Sequence, residues 1–324
     1  MDDLLKNENV NSVISKIIKR KHTELSIGLY KNGITKIFNY CQTTNPYFDL
    51  GSISKVFTSL LILKLEQEKL INIDDGIDKY LKLKNGKYPT IKELLSHQTG
   101  YIYITPFQIT ILRLLKGYSK VNIYHDIDDV TVFKYLEKIK HKSNKYGYSD
   151  FSYAILKLVI KEVCQRDVKE IYEEFLKEEF EMLNTKVIDD GLTRKDCYLS
   201  YKKIDNWKWN KENPYISAGG FASTIDDMTL FMKKIIEEDS HYIDRCLEIN
   251  DFNKHNLAFF LSKNKHVYYH VGGAGTFRSN IAINKKRKMG VVVLSSAKGC
   301  RKGNVSYLNK MIYNYLRRNK ITIT

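Results

Sequence analysis

The sequence predicts an α+β protein whose antiparallel sheet is built from strands at both ends of the chain. Strand-like runs occupy residues 25–40 and 266–294, whereas residues 91–190 show mostly helical periodicity. Strands at the two termini with helices between them are expected to meet in one sheet that is flanked by helices. The intervening residues then form an inserted, mostly helical lobe.

The same pattern predicts where the lobes divide. We expect residues 1–55 and 215–324 to form the sheet lobe and residues 56–214 to form the mostly helical lobe. Junctions between lobes are common positions for substrate clefts. The active site is therefore predicted in the cleft between the two lobes.

The first 40 residues predict a helix followed by a β-hairpin. Apolar residues recur at helical spacing over residues 5–20. Asn32 and Gly33 then separate two strand-like runs, residues 25–30 and 35–40. An Asn-Gly pair between two such runs favours a tight hairpin turn.

The middle of the chain predicts a series of helices. One runs from Ser54 to about residue 69, and Thr90 is a typical N-cap for a short helix over residues 91–97. Residues 191–215 are polar and irregular. Three further helices are expected over residues 130–139, 151–163 and 168–182.

The last third of the chain returns to strands. Thr224 is a plausible N-cap for a helix that precedes them, and a final helix is expected over residues 305–317. The three strands are expected over residues 266–271, 276–283 and 289–294.

The composition indicates a basic, globular protein. Its 324 residues can bury a sizeable core, and 53 Lys and Arg against 37 Asp and Glu give a net charge of +16. Such a charge favours anionic partners, including acidic polymers. The charge is spread widely and no nucleic-acid-binding motif accompanies it, so a solvated lysine-rich surface is favoured over a nucleic-acid interface.

The cysteines and the N-terminus bear on location and cofactors. Five widely spaced cysteines without a Cys-x-x-Cys pair fit a reducing compartment and predict no metal site. Residues 1–21 contain no apolar run of a signal peptide, and no apolar stretch approaches the ~20 residues of a transmembrane helix. A cytoplasmic protein without a cofactor is expected, although removal of an export signal would leave the same pattern in an extracytoplasmic protein.

Ser52 and Lys55 are the first candidate catalytic pair. They stand three residues apart at the start of a helix, so their side chains share one helix face. A serine hydroxyl is a weak nucleophile at neutral pH and needs a neighbour that takes its proton. A lysine, with an ordinary pKa of about 10.4, can do this if burial or nearby positive charge lowers that pKa.

The residues around this pair carry a family resemblance. The segment Phe48-Asp49-Leu50-Gly51-Ser52-Ile53-Ser54-Lys55 resembles the active-site helix of class C β-lactamases and penicillin-binding D-alanyl carboxypeptidases. Residues 146–156 are similar to the Tyr-x-Asn loop of the same superfamily, and residues 270–275 to its Lys-Thr-Gly or His-x-Gly segment. Residues 94–100 and 218–224 resemble framework segments, so the resemblance covers most of the chain.

The resemblance implies a β-lactamase/transpeptidase-like fold and a serine hydrolase that forms an acyl-enzyme at Ser52. Lys55 and Tyr148 would form the proton relay, and either could be the base. Backbone N–H groups of Ser52 and Gly273 would hold the oxyanion. Small D-alanyl peptides, D-alanyl esters or β-lactams, some of them derived from the cell wall, are the implied substrates.

The other wall of the site carries three further candidates. His270 is expected either to hold a substrate carboxylate or to hydrogen-bond near the tyrosine. Gly272 and Gly273 are expected to let the substrate backbone approach closely, since they have no Cβ. His97, by contrast, is interpreted as a buried structural histidine.

Two departures from the family pattern narrow the activity. Asp150 stands where asparagine is usual in the family. Its carboxylate would raise the Lys55 pKa, so that Tyr148 would carry more of the base role. Alternatively, Asp150 would bind a substrate ammonium, as the resemblance to teichoic acid D-alanyl esterases implies. His270 replaces lysine and is mostly neutral at pH 7, which weakens recognition of a β-lactam carboxylate. Both changes disfavour an efficient β-lactamase and leave peptidase and esterase open.

The alternative function is binding without turnover. A protein that kept the fold but lost catalysis would bind penicillin or a cell-wall polymer, or act as a sensor. Its basic surface would then hold an anionic polymer.

Overall fold

A computed structural model gives the fold of the chain. It describes residues 7–19, 23–41, 46–101, 115, 122–125, 127–188, 209, 212–248, 255–263, 265–296 and 302–318. Most of the segment 191–215, predicted to be irregular, lies outside these residues.

The predicted helices are present in the predicted order, with bounds that differ by a few residues, and two short helices, Ile216–Gly219 and His241–Leu247, were not predicted. They are α1 (Glu8–Ile18), α2 (Ser54–Gln67), α3 (Ile91–Leu95), α4 (Asp129–Leu136), α5 (Asp150–Cys164), α6 (Val168–Phe180), α7 (Ile216–Gly219), α8 (Ile225–Glu237), α9 (His241–Leu247) and α10 (Lys302–Arg318). The predicted caps are present at α3, where Thr90 and Glu93 form a capping box, and at α8, where Thr224 accepts a hydrogen bond from the Asp227 N–H.

The strands form two sheets. They are β1 (Leu25–Lys31), β2 (Ile34–Tyr40), β3 (Phe48–Asp49), β4 (Lys186–Val187), β5 (Phe221–Ser223), β6 (Phe260–Leu261), β7 (Tyr268–Ala274), β8 (Phe277–Asn284) and β9 (Met289–Ser295). The main sheet is antiparallel, in the order β2-β1-β9-β8-β7-β6. The N-terminal hairpin therefore pairs with the C-terminal strands through β1 and β9, which confirms the predicted α+β architecture.

Helices cover both faces of the main sheet, and the sequence of β9 shows why. Val291 and Val293 join a cluster with α1 and α10, whereas Val292 and Leu294 join the larger core on the other face. Successive side chains of a strand point to opposite faces, so a strand covered on both sides needs a continuous apolar run.

The larger core is continuous from the sheet to the helices between its strands. It contains Ile281 of β8 together with Phe57 of α2, Ile155 of α5 and Tyr172 of α6. The predicted division into two lobes at residues 55 and 215 stays a prediction. The small sheet β3-β5-β4, which the sequence did not predict, joins residues from both predicted lobes beside the turn that carries Ser52.

Among the described residues, no helix is both long enough and apolar enough to cross a membrane.

Candidate active site

Ser52 lies in a tight turn between β3 and α2. Gly51 adopts a φ of +50°, a left-handed conformation that favours glycine. The buried Asp49 carboxylate accepts a hydrogen bond of 2.9 Å from the Gly51 N–H, and the Ser54 hydroxyl donates to the Gly51 carbonyl at 2.7 Å. These bonds hold the turn so that Ser52 stands at the start of the helix.

Lys55 lies one turn further along and is fully buried. Its Nζ lies 3.4 Å from Ser52 Oγ, 2.6 Å from the Ala218 carbonyl oxygen and 2.5 Å from Asp150 Oδ1. Burial lowers the pKa of Lys55, and the Asp150 carboxylate opposes that effect. The expected influence of Asp150 is therefore present, but burial has the larger effect.

Tyr148 contacts the same serine from the segment that precedes α5. It shares a hydrogen bond with Ser52, and Lys55 Nζ lies 5.1 Å from the centre of its ring. Burial, and then the charge of Asp150, raise the pKa of the Tyr148 phenol well above its ordinary value, while the bond with Ser52 opposes them. The tyrosine is therefore a neutral phenol at neutral pH.

Asp150 is the first residue of α5, where the helix dipole favours a carboxylate. One of its oxygens faces Lys55, and the other accepts a hydrogen bond from the Tyr124 hydroxyl. Tyr124 is buried and stacks on Tyr215, with ring centres 4.3 Å apart. Nothing in the sequence distinguished Tyr124 from the other 22 tyrosines, because its role depends on a contact 26 residues away.

The glycines of β7 bring this strand against the turn of the nucleophile. A Cβ on Gly272 would lie 1.9 Å from the Leu50 carbonyl oxygen and 2.2 Å from Ser279 Oγ. A Cβ on Gly51 would lie 2.5 Å from the Gly273 backbone nitrogen. The space at Gly272, which we expected to admit substrate, is thus filled by the protein itself. That the Ser52 and Gly273 N–H groups hold an oxyanion stays a prediction.

His270 is buried beneath the site. Its Nδ1 lies 3.1 Å from the Val271 carbonyl oxygen, and its ring packs 5.2 Å from that of Phe260. Burial lowers the pKa of His270 well below its ordinary value, and the charges of His255 and Lys55 would lower it further. A buried, neutral imidazole offers little to a substrate carboxylate. The second expectation, a hydrogen bond of His270 near the tyrosine, stays a prediction.

A cavity of about 180 Å³ opens beside Ser52. Among the described residues that line it, Arg278 is the cationic one, and its Nη1 donates to the carbonyl of Gly275 at 3.0 Å. Sequence reasoning missed Arg278, although it follows closely on the third motif. The cavity is lined by Ser52, Tyr148, Phe260, Val271, Gly272, Gly273, Arg278, Ser279, Val305 and Ser306.

Three buried histidines, His97, His255 and His270, lie close together behind the site. The ring centres of His97 and His255 are 4.6 Å apart, and those of His255 and His270 are 6.2 Å apart. Over the residues that the structure describes, no three His, Cys, Asp or Glu side chains are grouped so that they could hold a metal ion.

The structure thus brings together four of the predicted residues, Ser52, Lys55, Tyr148 and Asp150. Gly272 and Gly273 line the same cavity, whereas His270 does not.

Comparisons with known proteins identify the family of the chain. The family model described as Beta-lactamase matches residues 10–304. The protein called flp in Staphylococcus aureus (strain MW2) is 23% identical over 346 residues, covering 96% of this chain and 67% of that protein. A teichoic acid D-alanine hydrolase of Staphylococcus aureus is 27% identical over 228 residues, covering 65% of this chain and 53% of its own length. The chain thus spans between half and two thirds of these relatives.

Solved structures show the same fold. A penicillin-binding protein homologue from Pyrococcus abyssi superposes with a TM-score of 0.79 at 20% identity, covering 96% of this chain and 77% of the other. A β-lactamase/D-alanine carboxypeptidase from Yersinia pestis superposes with a TM-score of 0.78 at 15% identity, covering 97% and 99%.

Proposed function

We propose, on the premise that this chain belongs to the β-lactamase family of serine hydrolases, that Ser52 forms an acyl-enzyme with D-alanyl peptides or esters. The observation that carries the proposal is the contact of Ser52 Oγ with both Lys55 Nζ, at 3.4 Å, and Tyr148, at the edge of a cavity. A nucleophile, a base and a second proton carrier are the groups that acyl transfer requires.

Lys55 is the better candidate for the base. Burial lowers its pKa, whereas burial raises that of Tyr148, so a neutral amine forms more readily here than a phenolate. The neutral Lys55 amine takes the Ser52 proton as Oγ bonds to the substrate carbonyl carbon, and the carbonyl oxygen takes up the electron pair. When the intermediate collapses, the leaving group takes a proton from the Lys55 ammonium by way of the Tyr148 phenol. Water then releases the acyl group from Ser52.

The choice between amide and ester rests on Asp150 and Arg278. Arg278 lines the cavity and suits a substrate with an anionic group, whether small or part of an anionic polymer. Asp150 suits an aminoacyl ammonium, although it already accepts from Lys55 and Tyr124. The name of one relative, teichoic acid D-alanine hydrolase, supports D-alanyl esters.

The second candidate function is binding or sensing without efficient turnover. The contact that favours it is the 2.5 Å ion pair of Lys55 with Asp150, because a carboxylate stabilises the ammonium form that cannot accept a proton. The basic surface would then hold an anionic cell-wall polymer.

The test is a substrate panel with Ser52→Ala as the matched control. We expect a D-aminoacyl ester or a D-Ala-D-Ala peptide to be turned over faster than a chromogenic cephalosporin. We also expect a covalent adduct with a fluorescent penicillin that mass spectrometry locates at Ser52. Ser52→Ala should abolish both. A folded wild-type protein that hydrolyses nothing and forms no adduct would contradict the hydrolase proposal, and salt-sensitive polymer binding unaffected by Ser52→Ala would favour the second candidate.

A further inference from the structure

We propose that His97 is a positioning residue for Tyr148 and holds the phenol at Ser52. The inference rests on the proposed function, in which Tyr148 carries a proton to the leaving group. It assigns a role in the reaction to a histidine that the sequence indicated only as buried structure.

The first observation is a pair of backbone bonds on either side of Tyr148. The Gly147 N–H donates to the His97 carbonyl oxygen at 2.9 Å, and the Ser149 N–H donates to His97 Nδ1 at 3.2 Å. One residue thus holds the main chain immediately before and immediately after the tyrosine. Tyr148 can move away from Ser52 by a backbone shift only if one of these bonds breaks.

The second observation is contact with the tyrosine ring itself. The ring centres of His97 and Tyr148 are 4.5 Å apart, with an angle of 43° between their planes. The Tyr148 ring also stacks on Phe260 at 5.8 Å, and His97 is fully buried. The orientation of the phenol is therefore determined by the imidazole as well as by the backbone.

The third observation concerns the chemical form of the imidazole. Because Nδ1 accepts an N–H, the ring must be neutral with its proton on Nε2. Lys55, His255 and His270 surround it, and burial followed by these charges lowers the His97 pKa well below its ordinary value. Tyr148 and Tyr153 are its other close ring neighbours. Burial is therefore the main reason that the imidazole stays in its neutral acceptor form, and the neighbouring charges favour the same form.

Packing alone does not account for a histidine at this position. Its buried Nε2 has no hydrogen-bond partner among the described residues, which costs free energy that an apolar side chain would avoid. What an apolar side chain would lose is the acceptor for the Ser149 N–H. His97 also adopts a φ of +59°, a left-handed conformation in which asparagine, aspartate and histidine are enriched.

The experiment compares His97→Asn with His97→Gln and His97→Leu. Asparagine places its Oδ1 near the position of Nδ1, so it keeps an acceptor for the Ser149 N–H, whereas leucine has no acceptor and glutamine carries its amide one bond further out. We expect kcat on the best substrate of the panel to fall about 100-fold in His97→Leu, with KM changed by less than about threefold, since a displacement of about 1 Å can have an effect of this size. Asparagine should restore kcat to within about fivefold of wild type, and glutamine should resemble leucine.

Two further readouts separate positioning from general stability. Amide hydrogen exchange of a peptide spanning residues 145–151 should accelerate in His97→Leu and stay near wild type in His97→Asn. The pH profile of kcat should also change. The limb that reports proton transfer through Lys55 and Tyr148 should move in His97→Leu and stay in place in the other variants. The matched control is His255→Asn, which removes a neighbouring buried imidazole. In the described contacts, Nδ1 of His255 bonds only to the carbonyl of Asn256. The control should change kcat by less than about threefold.

The outcomes are distinguishable from failure of the hydrolase proposal. If wild type turns over no substrate, the proposed function fails. The hydrogen-exchange comparison then still tests whether His97 holds the backbone on both sides of Tyr148. If wild type is active and His97→Asn and His97→Gln are equally active or equally impaired, the positioning role is overturned. An equal loss in His255→Asn would also overturn it, because the effect would then belong to packing of the histidine cluster.

Discussion

At the scale of single residues, the site depends on the ion pair of the buried Lys55 with the partly buried Asp150. The ammonium has three N–H donors and faces three acceptors, Ser52 Oγ, the Ala218 carbonyl and the Asp150 carboxylate. Burial favours the neutral amine and the carboxylate favours the charged form, so the balance between them determines the pH above which Lys55 accepts a proton.

The first prediction concerns Asp150→Asn. Asp150 raises the Lys55 pKa, so its removal should lower that pKa. Lys55 is active as the neutral amine above its pKa, and the acidic limb of kcat/KM should therefore move to lower pH by about one unit or more, which is the usual effect of an opposite charge at this distance. The measurement is the pH profile of kcat/KM for an ester. Tyr124→Phe, which leaves the carboxylate in place, is the control, and a limb that stays fixed or moves upward in Asp150→Asn would contradict Lys55 as the base.

The second prediction concerns Asp49, which is buried beside the nucleophile. Burial raises the pKa of Asp49 to about 7, while its hydrogen bond from the Gly51 N–H opposes the shift. A carboxyl whose folded pKa is raised contributes stability below its unfolded pKa of about 4, and that contribution is lost as pH rises towards 7. Asp49→Asn keeps the acceptor for Gly51 and removes the charge. We expect the variant to gain stability relative to wild type between pH 5 and 8, on the order of 3 kcal/mol in total.

Chemical denaturation at several pH values measures this difference. Asp78→Asn, at an exposed position, is the control and should show little change. A constant difference between Asp49→Asn and wild type across this pH range would rule out titration of Asp49.

At the scale of elements, the contact between β7 and the turn at Gly51 determines the shape of the site. Gly272 has no room for a Cβ because the Leu50 carbonyl and the Ser279 hydroxyl occupy that position. Ser279 donates to the same Leu50 carbonyl at 2.7 Å, so the contact also ties β8 to the turn. Strands β7 and β8 are therefore both in contact with the turn that carries the nucleophile.

The third prediction is that Gly272→Ala damages both stability and activity. A Cβ 1.9 Å from a carbonyl oxygen forces β7 away from the turn, and overpacking of this kind costs about 1–3 kcal/mol. Because the cavity lies at this junction, kcat/KM should fall more than about tenfold.

The measurements are thermal unfolding and ester hydrolysis. Gly86→Ala is the matched control, because a Cβ there meets only the Tyr88 side chain, at 3.3 Å or more. Wild-type hydrolysis in Gly272→Ala would show that the strand can shift without disturbing Ser52.

At the scale of the whole molecule, the net charge of +16 acts over longer distances than any contact at the site. Exposed charges separated by more than about 10 Å are screened at 0.1 M salt. The partly buried Lys55–Asp150 pair is screened less. Added salt should therefore weaken substrate binding by the charged surface while it leaves the chemical step at Ser52 nearly unchanged.

The fourth prediction follows from this separation. With an anionic D-alanylated polymer as substrate, KM should rise as salt increases from about 0.05 to about 0.5 M, while kcat changes little. A small neutral ester should show no comparable rise and serves as the control. Equal salt sensitivity of both substrates would indicate that the basic surface does not take part in substrate binding.

Much of the fold followed from local patterns in the sequence. The Asn32-Gly33 turn, the apolar run of β9 and the cap at Thr90 each depend on residues close in sequence, and each element is present. Small elements escaped prediction: β3, β4 and β5 contain two or three residues each, too few to show a period.

The sequence by itself determined the longer elements and their order. It also determined the pairing of Ser52 with Lys55, because residues three apart on a helix face the same side whatever surrounds them. Only the tertiary structure decided that Asp150 contacts both Lys55 and Tyr124, that His97 contacts Tyr148, and that His270 is buried. These contacts join elements far apart in the chain, and the packing of the core determines their distances, so no periodicity along the sequence encodes them.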